Sequence, residues 1–550
     1  MASGQGQKIQ IKTIACKLKP KKMAIRSLFL LCFLMLSAQI SAQRNVVLII
    51  ADDLGSDYCG FYEDHVDTVK LPNVRRLLSR GVRFRKAWSN PLCSPTRAGI
   101  LTGRHSFRTG VGDAVGNGSN VIDTNETTIP KLLRAWSQGN VKCANIGKWH
   151  LTLGSQSTFR VPNKMGYNHY EGNFSGTLPS FFTWNKVTNG MSAQVNSYAT
   201  TENTNNAISW VKAQGNSPFF LWLAYNSPHT PYHLPPAGLH SYDTLSGTAS
   251  AIAANPRLYF KAMAEALDHE VGRLFDTLQT IQKWDSTDII FIGDNGDDVN
   301  VAQNAGTGGG SKGSIYQNGV NVPFLVSGPT VTNPGRFSDA LVSTHDLFAT
   351  ILEMMGNQNW PNQIPQDVQI DSRSLMPIIK NQIDSIRPWA FTEVFKNTPV
   401  AGDGKAIRNR HYKLLDFDNG TQKFYKIDID PNENNDLMLQ TLNSEAATHY
   451  AYLCGEMTNL TGFNRFCDVT ATSEISTQPK IRIHPNPFKN HLKISGLSGD
   501  ETLVLWNSLG QEVFTGKGQA ISLKNEVPSG LYQLEIRAYE RSNFMRIFKE

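Results

Sequence analysis

Residues Asn45–Asp53, NVVLIIADD, form an unbroken apolar, largely β-branched run that stops at two aspartates. A strand with one wet face alternates apolar and polar residues, so a continuous run suits a strand buried on both faces, as in a parallel sheet. FFLWLAYN at 219–226 and DIIFIGDN at 288–295 repeat the pattern. Between them, Asn73–Arg80 and residues 255–281 carry apolar residues at helical spacing. Strands alternating with helices predict an α/β layered sheet.

Outward from this core the texture changes. The chain has 550 residues, more than one ordinary domain, and the α/β region is expected over 43–370. From about Asp371 short segments such as HYKLLDFD and QKFYKIDIDPNENNDL predict a small antiparallel α+β subdomain over 371–467. DVTATSEISTQPK at 468–480 lacks periodicity and reads as a linker. Residues 481–550 alternate apolar and polar between turns at SGD, NSLG and PSG, the pattern of a small β-sandwich.

The first 42 residues read as a leader. From Met23, MAIRSLFLLCFLMLSAQISAQ has a basic start, a short apolar run and small residues at Ser41 and Ala42. This reads as a secretory signal, with cleavage expected after Ala42 and the true start expected at Met23. Removing the seven lysines and arginines of residues 1–42 takes the formal charge from +7 to zero. An anionic ligand must then be held by a local patch, and no nucleic-acid partner is expected. Of seven cysteines, Cys59, Cys93, Cys143, Cys454 and Cys467 lie beyond the leader. Export permits a Cys454–Cys467 disulfide, and an odd total leaves at least one cysteine, with Cys93 a candidate, free for chemistry.

The buried runs end in residues that a core strand does not need. The first ends in Asp52-Asp53, the second leads to Ser227-Pro228-His229, and the third ends in Asp294-Asn295. In open α/β sheets ligands bind beyond the carboxyl ends of strands. Three carboxylates and an amide suit a hard cation, Ca2+ or Mg2+, whereas each pair taken singly would only make a turn. IGKWH at 146–150 adds Lys148 and His150, and GSKGSIYQNGVNVP at 310–323 adds Lys312 in a glycine-rich loop. Cations beside a carboxylate-held metal suit a tetrahedral oxyanion, sulfate or phosphate.

The motif CSPTRAGILTGR at 93–104, with ADD, GKWH, SPHTPY, GDNGD and KGSIYQNGVNVP in that order along the chain, resembles the formylglycine-dependent sulfatases over about residues 44–460. The resemblance implies the alkaline-phosphatase-like fold: a mixed, largely parallel sheet flanked by helices, with an antiparallel C-terminal subdomain. It implies that a formylglycine-generating or sulfatase-maturing enzyme oxidises Cys93 to formylglycine. It also implies one Ca2+ held by Asp52, Asp53, Asp294, Asn295 and the modified residue 93. Arg97 would support the nucleophilic oxygen, and Lys148 and Lys312 would neutralise sulfate. His229 with Lys312 would protonate the leaving oxygen, and His150 would take the proton that releases sulfate. Gly293, Gln317-Asn318 and Asn321 depart from residues common in the family. A sulfated polysaccharide such as ulvan or carrageenan is the implied substrate. The alternatives are a phosphoesterase on the same fold, which would normally use Ser or Thr with a two-zinc histidine cluster, and a non-catalytic surface glycan binder.

In the tail, IHPNPFKNHLKISG, LWNSLGQEVFTGKG and VPSGLYQLEI resemble the type A sorting domain of the type IX secretion route of Bacteroidetes-type bacteria. That resemblance implies passage through type IX machinery to the cell surface or medium.

Overall fold

The computed structural model describes residues 44–62, 67–303, 310–462 and most of 482–549. The leader (1–42), the linker (468–480) and Cys467 lie outside the described residues. Cys454 is engaged in a disulfide, and Cys59, Cys93 and Cys143 are free and buried.

Ten strands form the main sheet: β1 (Asn45–Ala51), β2 (Gly81–Trp88), β3 (Lys142–Gly147), β4 (His169–Gly172), β5 (Trp184–Thr188), β6 (Met191–Val195), β7 (Phe219–Ala224), β8 (Thr287–Gly293), β9 (Phe324–Ser327) and β10 (Arg336–Ser343). Their order is β10-β2-β9-β8-β1-β7-β3-β4-β5-β6. The centre is parallel: β1 pairs with β8 and β7, and β7 with β3. β9 runs antiparallel to both β2 and β8, and β5 to both β4 and β6. The unbroken apolar run of β1 follows from this placement. Val46, Leu48 and Ile50 point into one core and Val47, Ile49 and Ala51 into the other, all fully buried. Each large side chain so buried contributes about 1.5–3 kcal/mol.

Helices cover both faces. α1 (Cys93–Thr102), α2 (Ile129–Trp136) and α5 (Leu347–Met354) pack on the first core, and α3 (Ala199–Ala213) and α4 (Pro256–Thr280) on the second. Helix α4 matches the helical spacing of residues 255–281. Asn73–Arg80 differs from a single helix: it is a helical turn, Pro72–Arg75, followed by a 3-10 turn, Leu78–Arg80. Asp268 of α4 accepts from Asn73 N and Val74 N, which ties the segment down just before β2 begins.

The register levels the strand ends. Ala51 lies opposite Gly293, and Ala224 lies opposite both Ile50 and Gly147. Gly147 has φ 101°, and a Cβ there would lie 1.9 Å from the Ala224 carbonyl oxygen, so only glycine lets these ends meet. Asp52-Asp53, Lys148–His150, Asn226–His229 and Asp294-Asn295 therefore leave the sheet at one edge.

Strands β11 (Ala390–Val394), β12 (Gly404–Arg408), β13 (Lys413–Phe417) and β14 (Gln422–Tyr425) form an antiparallel sheet covered by α6 (Ser444–Thr461). Beyond it, β15 (Arg482–His484), β16 (His491–Ser495) and β19 (Ala520–Ser522) make one small sheet. β17 (Thr502–Asn507), β18 (Glu512–Lys517), β20 (Gly530–Ala538) and β21 (Arg541–Lys549) make a second. Leu492, Ile494 and Ile521 of the first share a core with Leu503, Leu505 and Leu534 of the second, as the alternating pattern of the tail predicts.

Candidate active site

The ten residues expected to act in catalysis or metal binding come together in one cluster, all buried except the part-exposed Lys312. Cys93 opens α1, whose ten residues are all buried, and the helix closes on Gly103 in the left-handed region. The helix presents Arg97 one turn after Cys93. Arg97 donates through Nε and Nη2 to Asp294 Oδ2 at 3.1 and 2.7 Å and through Nη1 to the Lys148 carbonyl at 3.0 Å. Lys148 Nζ donates to Asp52 Oδ2 at 2.5 Å. Lys312 Nζ lies 2.7 Å from Asp53 Oδ1, and His229 Nε2 lies 3.6 Å from Asp53 Oδ2. Three carboxylates thus face three permanent cations, which is how buried charge is tolerated.

The two histidines have defined tautomers. His150 Nε2 is 3.1 Å from the Val115 carbonyl, to which it must donate, so Nδ1 turns its lone pair towards Cys93 Sγ at 3.1 Å. His229 Nδ1 donates to the Thr230 carbonyl at 2.8 Å, leaving Nε2 for the cluster. Burial, reinforced by Lys148 and Arg97, holds His150 well below its usual value, and burial brings His229 to about 4. Asp53 and His150 both adopt positive φ, 62° and 49°, and such local strain is concentrated at functional sites.

The carboxylates are not equivalent. Burial, then the charge of Asp294, pushes Asp52 well above the carboxylate range against Lys148 and Arg97. Burial also opposes ionisation of Asp294 and Asp53. At Asp294 it is outweighed by Arg97 and Lys148, and at Asp53 by His229 and Lys312, so both are lowered. Lys312 is raised: burial opposes its charge, but Asp53 prevails.

The donor set fits a hard divalent cation. Asp52 Oδ1 and Asn295 Oδ1 are buried and have no hydrogen-bond partner. Ligand atoms of Asp52, Cys93 and Asp294 lie within 4.8 Å of one another, as do those of Asp52, Asp53 and His229. Orphaned, desolvated oxygens of this kind are costly unless a ligand completes them. Asn295 Nδ2 donates to Asp53 Oδ1, which holds the amide beside the carboxylates.

Several supporting groups escaped sequence reasoning. Ser94 Oγ donates to the His150 carbonyl and accepts from Val115 N. The Asp297 carbonyl accepts from Lys312 N, and the Pro91 carbonyl from Gly313 N, which locks the lysine loop against the segment before Cys93. Two of the departures from the family pattern, Gln317 and Asn321, make contacts of their own. Gln317 N donates to Glu433 and its Oε1 accepts from Trp88 Nε1, while Asn321 Nδ2 donates to Ser56 Oγ. Glu433 reaches this loop from the C-terminal subdomain, as Thr392 Oγ1 reaches the Ser89 carbonyl before Cys93, and nothing in the local sequence marks either.

A fold with this cluster at its strand ends defines a class. The Sulfatase family model matches residues 44–357 and the model "N-sulphoglucosamine sulphohydrolase, C-terminal" matches 310–458, and the chain belongs to the sulfatase family. It is similar to mouse arylsulfatase J, 25% identical over 411 residues covering 68% of this chain and 64% of that protein. It also resembles human N-acetylgalactosamine-6-sulfatase, 26% identical over 369 residues covering 61% and 65% of the two. The chain thus spans just under two thirds of the length of these relatives. Among solved structures, Ps i-CgsB in complex with k-i-k-neocarrahexaose superposes with a TM-score of 0.63 at 26% identity, covering 76% of this chain and 92% of that one. BT4656 in complex with D-glucosamine-2-N,6-O-disulfate shares the fold, with a TM-score of 0.60 at 21% identity over 76% and 98% of the two chains.

Proposed function

We propose that this chain is a secreted sulfuric ester hydrolase that removes sulfate from a sulfated polysaccharide through formylglycine made from Cys93. The observation that carries the reading is the seat of the Cys93 side chain, 3.1 Å from the lone pair of His150 Nδ1 and grouped with Asp52 and Asp294. Cys93 Sγ marks the place of the aldehyde-derived oxygen. Asp52, Asp53, Asp294 and Asn295 are the residues that would hold one Ca2+, and their all-oxygen chemistry supports that ion over zinc. When present, the hydrated aldehyde supplies one oxygen to attack sulfur and a second hydroxyl to expel sulfate, and the cation supplies positive charge beside them.

The protein's own groups do the remaining work. Lys148 and Lys312 set positive charge around the oxygens of an incoming sulfate, and Arg97, one turn after residue 93, favours the ionised nucleophilic oxygen. His150, neutral through burial, accepts a proton at Nδ1 from the position that Cys93 Sγ occupies, and the Val115 carbonyl steadies the resulting imidazolium. His229 presents Nε2 on the Lys312 side, where it can carry a proton to the departing sugar oxygen. A bound sulfate ester's negative charge favours that protonated form. The single histidine in the two ligand clusters, among the described residues, favours this reading over a phosphoesterase.

The bound neocarrahexaose of Ps i-CgsB supports an algal galactan as substrate, with ulvan as the neighbouring choice. A polymer of that size calls for export. We read residues 1–42 as the signal-bearing leader and 481–550 as the type IX sorting domain, a reading supported by the tail's resemblance. The maturing enzyme and the secretion machinery are the protein partners.

Mass spectrometry of the peptide containing residue 93, from protein made in its host, should show a loss of about 18 Da relative to cysteine. Cys93→Ala should lower sulfate release by at least ~10⁴-fold while leaving the fold intact. An intact thiol in a preparation that still releases sulfate would overturn the assignment.

A further inference from the structure

Residues 173–183 leave the site and end on an exposed ring. His150 N donates to the Phe174 carbonyl, and Gly176 lies directly against the His150 imidazole. Six residues later Phe182 is 42% exposed, whereas Phe181 beside it is buried. The ring of Phe182 packs 5.3 Å from Tyr198 and 5.4 Å, edge to face, from His233, and Phe181 underlies His233 at 4.4 Å.

This base is rigid. His233 Nδ1 donates to the Pro231 carbonyl at 2.9 Å and Nε2 accepts from Tyr198 Oη at 3.1 Å, so both ring nitrogens are committed. Ser180 Oγ accepts from Phe182 N and Thr183 N, which fixes the turn that carries the ring. Exposed neighbours in this loop are Ser175, Thr177, Pro179 and Thr183, so its apolar surface is one ring and one proline among hydroxyls. Extended protein interfaces need a larger contiguous apolar patch. His233 follows His229 by four residues, which places the two within ~14 Å along the chain.

We propose that Phe182 is a sugar-binding platform: the apolar face of the pyranose next to the sulfated unit stacks on its exposed ring. The inference rests on the sulfatase reading and deepens it to a specificity-determining residue. An aromatic ring held in place before binding loses little freedom on contact, and the C–H face of a sugar matches its shape and polarity.

The test compares mature wild-type enzyme with Phe182→Ala and Phe182→Trp on 4-nitrophenyl sulfate and on a panel of hexasaccharides from carrageenan, ulvan and chondroitin sulfate. Phe182→Ala should lower kcat/KM on the best hexasaccharide, relative to 4-nitrophenyl sulfate, by about tenfold, mainly through KM. Phe182→Trp should restore the ratio. An unchanged ratio in Phe182→Ala overturns the platform, as does a tryptophan variant no better than alanine. Wild type that cleaves 4-nitrophenyl sulfate but no hexasaccharide also overturns it. Mature enzyme inert on every substrate would instead overturn the sulfatase reading.

Discussion

Asp52 and Asp346 are both fully buried, both lie close to an arginine, and burial raises both above the usual carboxylate range. They differ in what meets their oxygens. Asp346 Oδ1 accepts from Arg373 N at 2.9 Å and from Arg387, and Oδ2 accepts from Ser343 N at 2.8 Å in a capping box. Asp52 Oδ2 meets Lys148, but Oδ1 has no hydrogen bond, with Arg97 Nη2 standing off at 3.8 Å. A structural carboxylate is completed by fixed backbone donors. One that keeps buried oxygens unmet, next to Asn295 with its own orphaned oxygen, is poised to take a ligand.

The largest effect that could break this contrast is in cation binding. Asp52→Asn should abolish calorimetric Ca2+ binding and lower sulfate release by ~10³-fold or more, whereas Asp346→Asn should leave the binding isotherm unchanged. Chelation of the wild type should stop sulfate release reversibly and lower Tm, since cation at about a hundred times its Kd stabilises by about 2.7 kcal/mol. If both substitutions impaired binding alike, the distinction between saturated and open carboxylates would fall.

A smaller effect sharpens the other side. Asp346→Ala strands the buried Arg387 and two backbone donors, and should cost about 3–5 kcal/mol in denaturant unfolding. Sulfate release per folded molecule should persist, because Asp346 touches none of the site residues.

The third case lies between the two. Glu393 on β11 is buried, with Oε1 accepting from Phe107 N at 2.8 Å and Oε2 without a partner, and burial pushes its pKa up to about 7. A raised folded-state pKa means the native protein holds this proton more tightly than the unfolded chain. The stabilisation is therefore complete below about pH 4.5 and is lost as pH rises through about 7. Its contribution should fall by roughly 3 kcal/mol across that window. Glu393→Gln, which mimics the protonated acid, should flatten the fall in urea titrations at pH 5 and pH 8. An equal slope in both proteins would remove Glu393 as its source.

Much of the site was legible because its groups directly follow buried runs. Asp52-Asp53 and Asp294-Asn295 have no core role at a strand end, and Cys93 and Arg97 sit four apart in a recognisable motif. The supporting atoms had no such mark. The Val115 and Asp297 carbonyls and the Ser94 hydroxyl act through position alone, and any residue type offers the first two. The exposed ring of Phe182 is equally silent, since Phe181 reads the same in sequence and is buried.

The sequence by itself determined the α/β class, the residues that carry charge and reactivity, and the change of texture after Asp371, because periodicity and side-chain chemistry are local properties. The tertiary structure alone decided that β1, β3, β7 and β8 end level, and that His150 meets Cys93 across 57 residues of chain. It also decided which buried oxygens remain unmet. Strand register, tautomer and hydrogen-bond saturation are relations between distant segments, and they exist only once packing has brought those segments together.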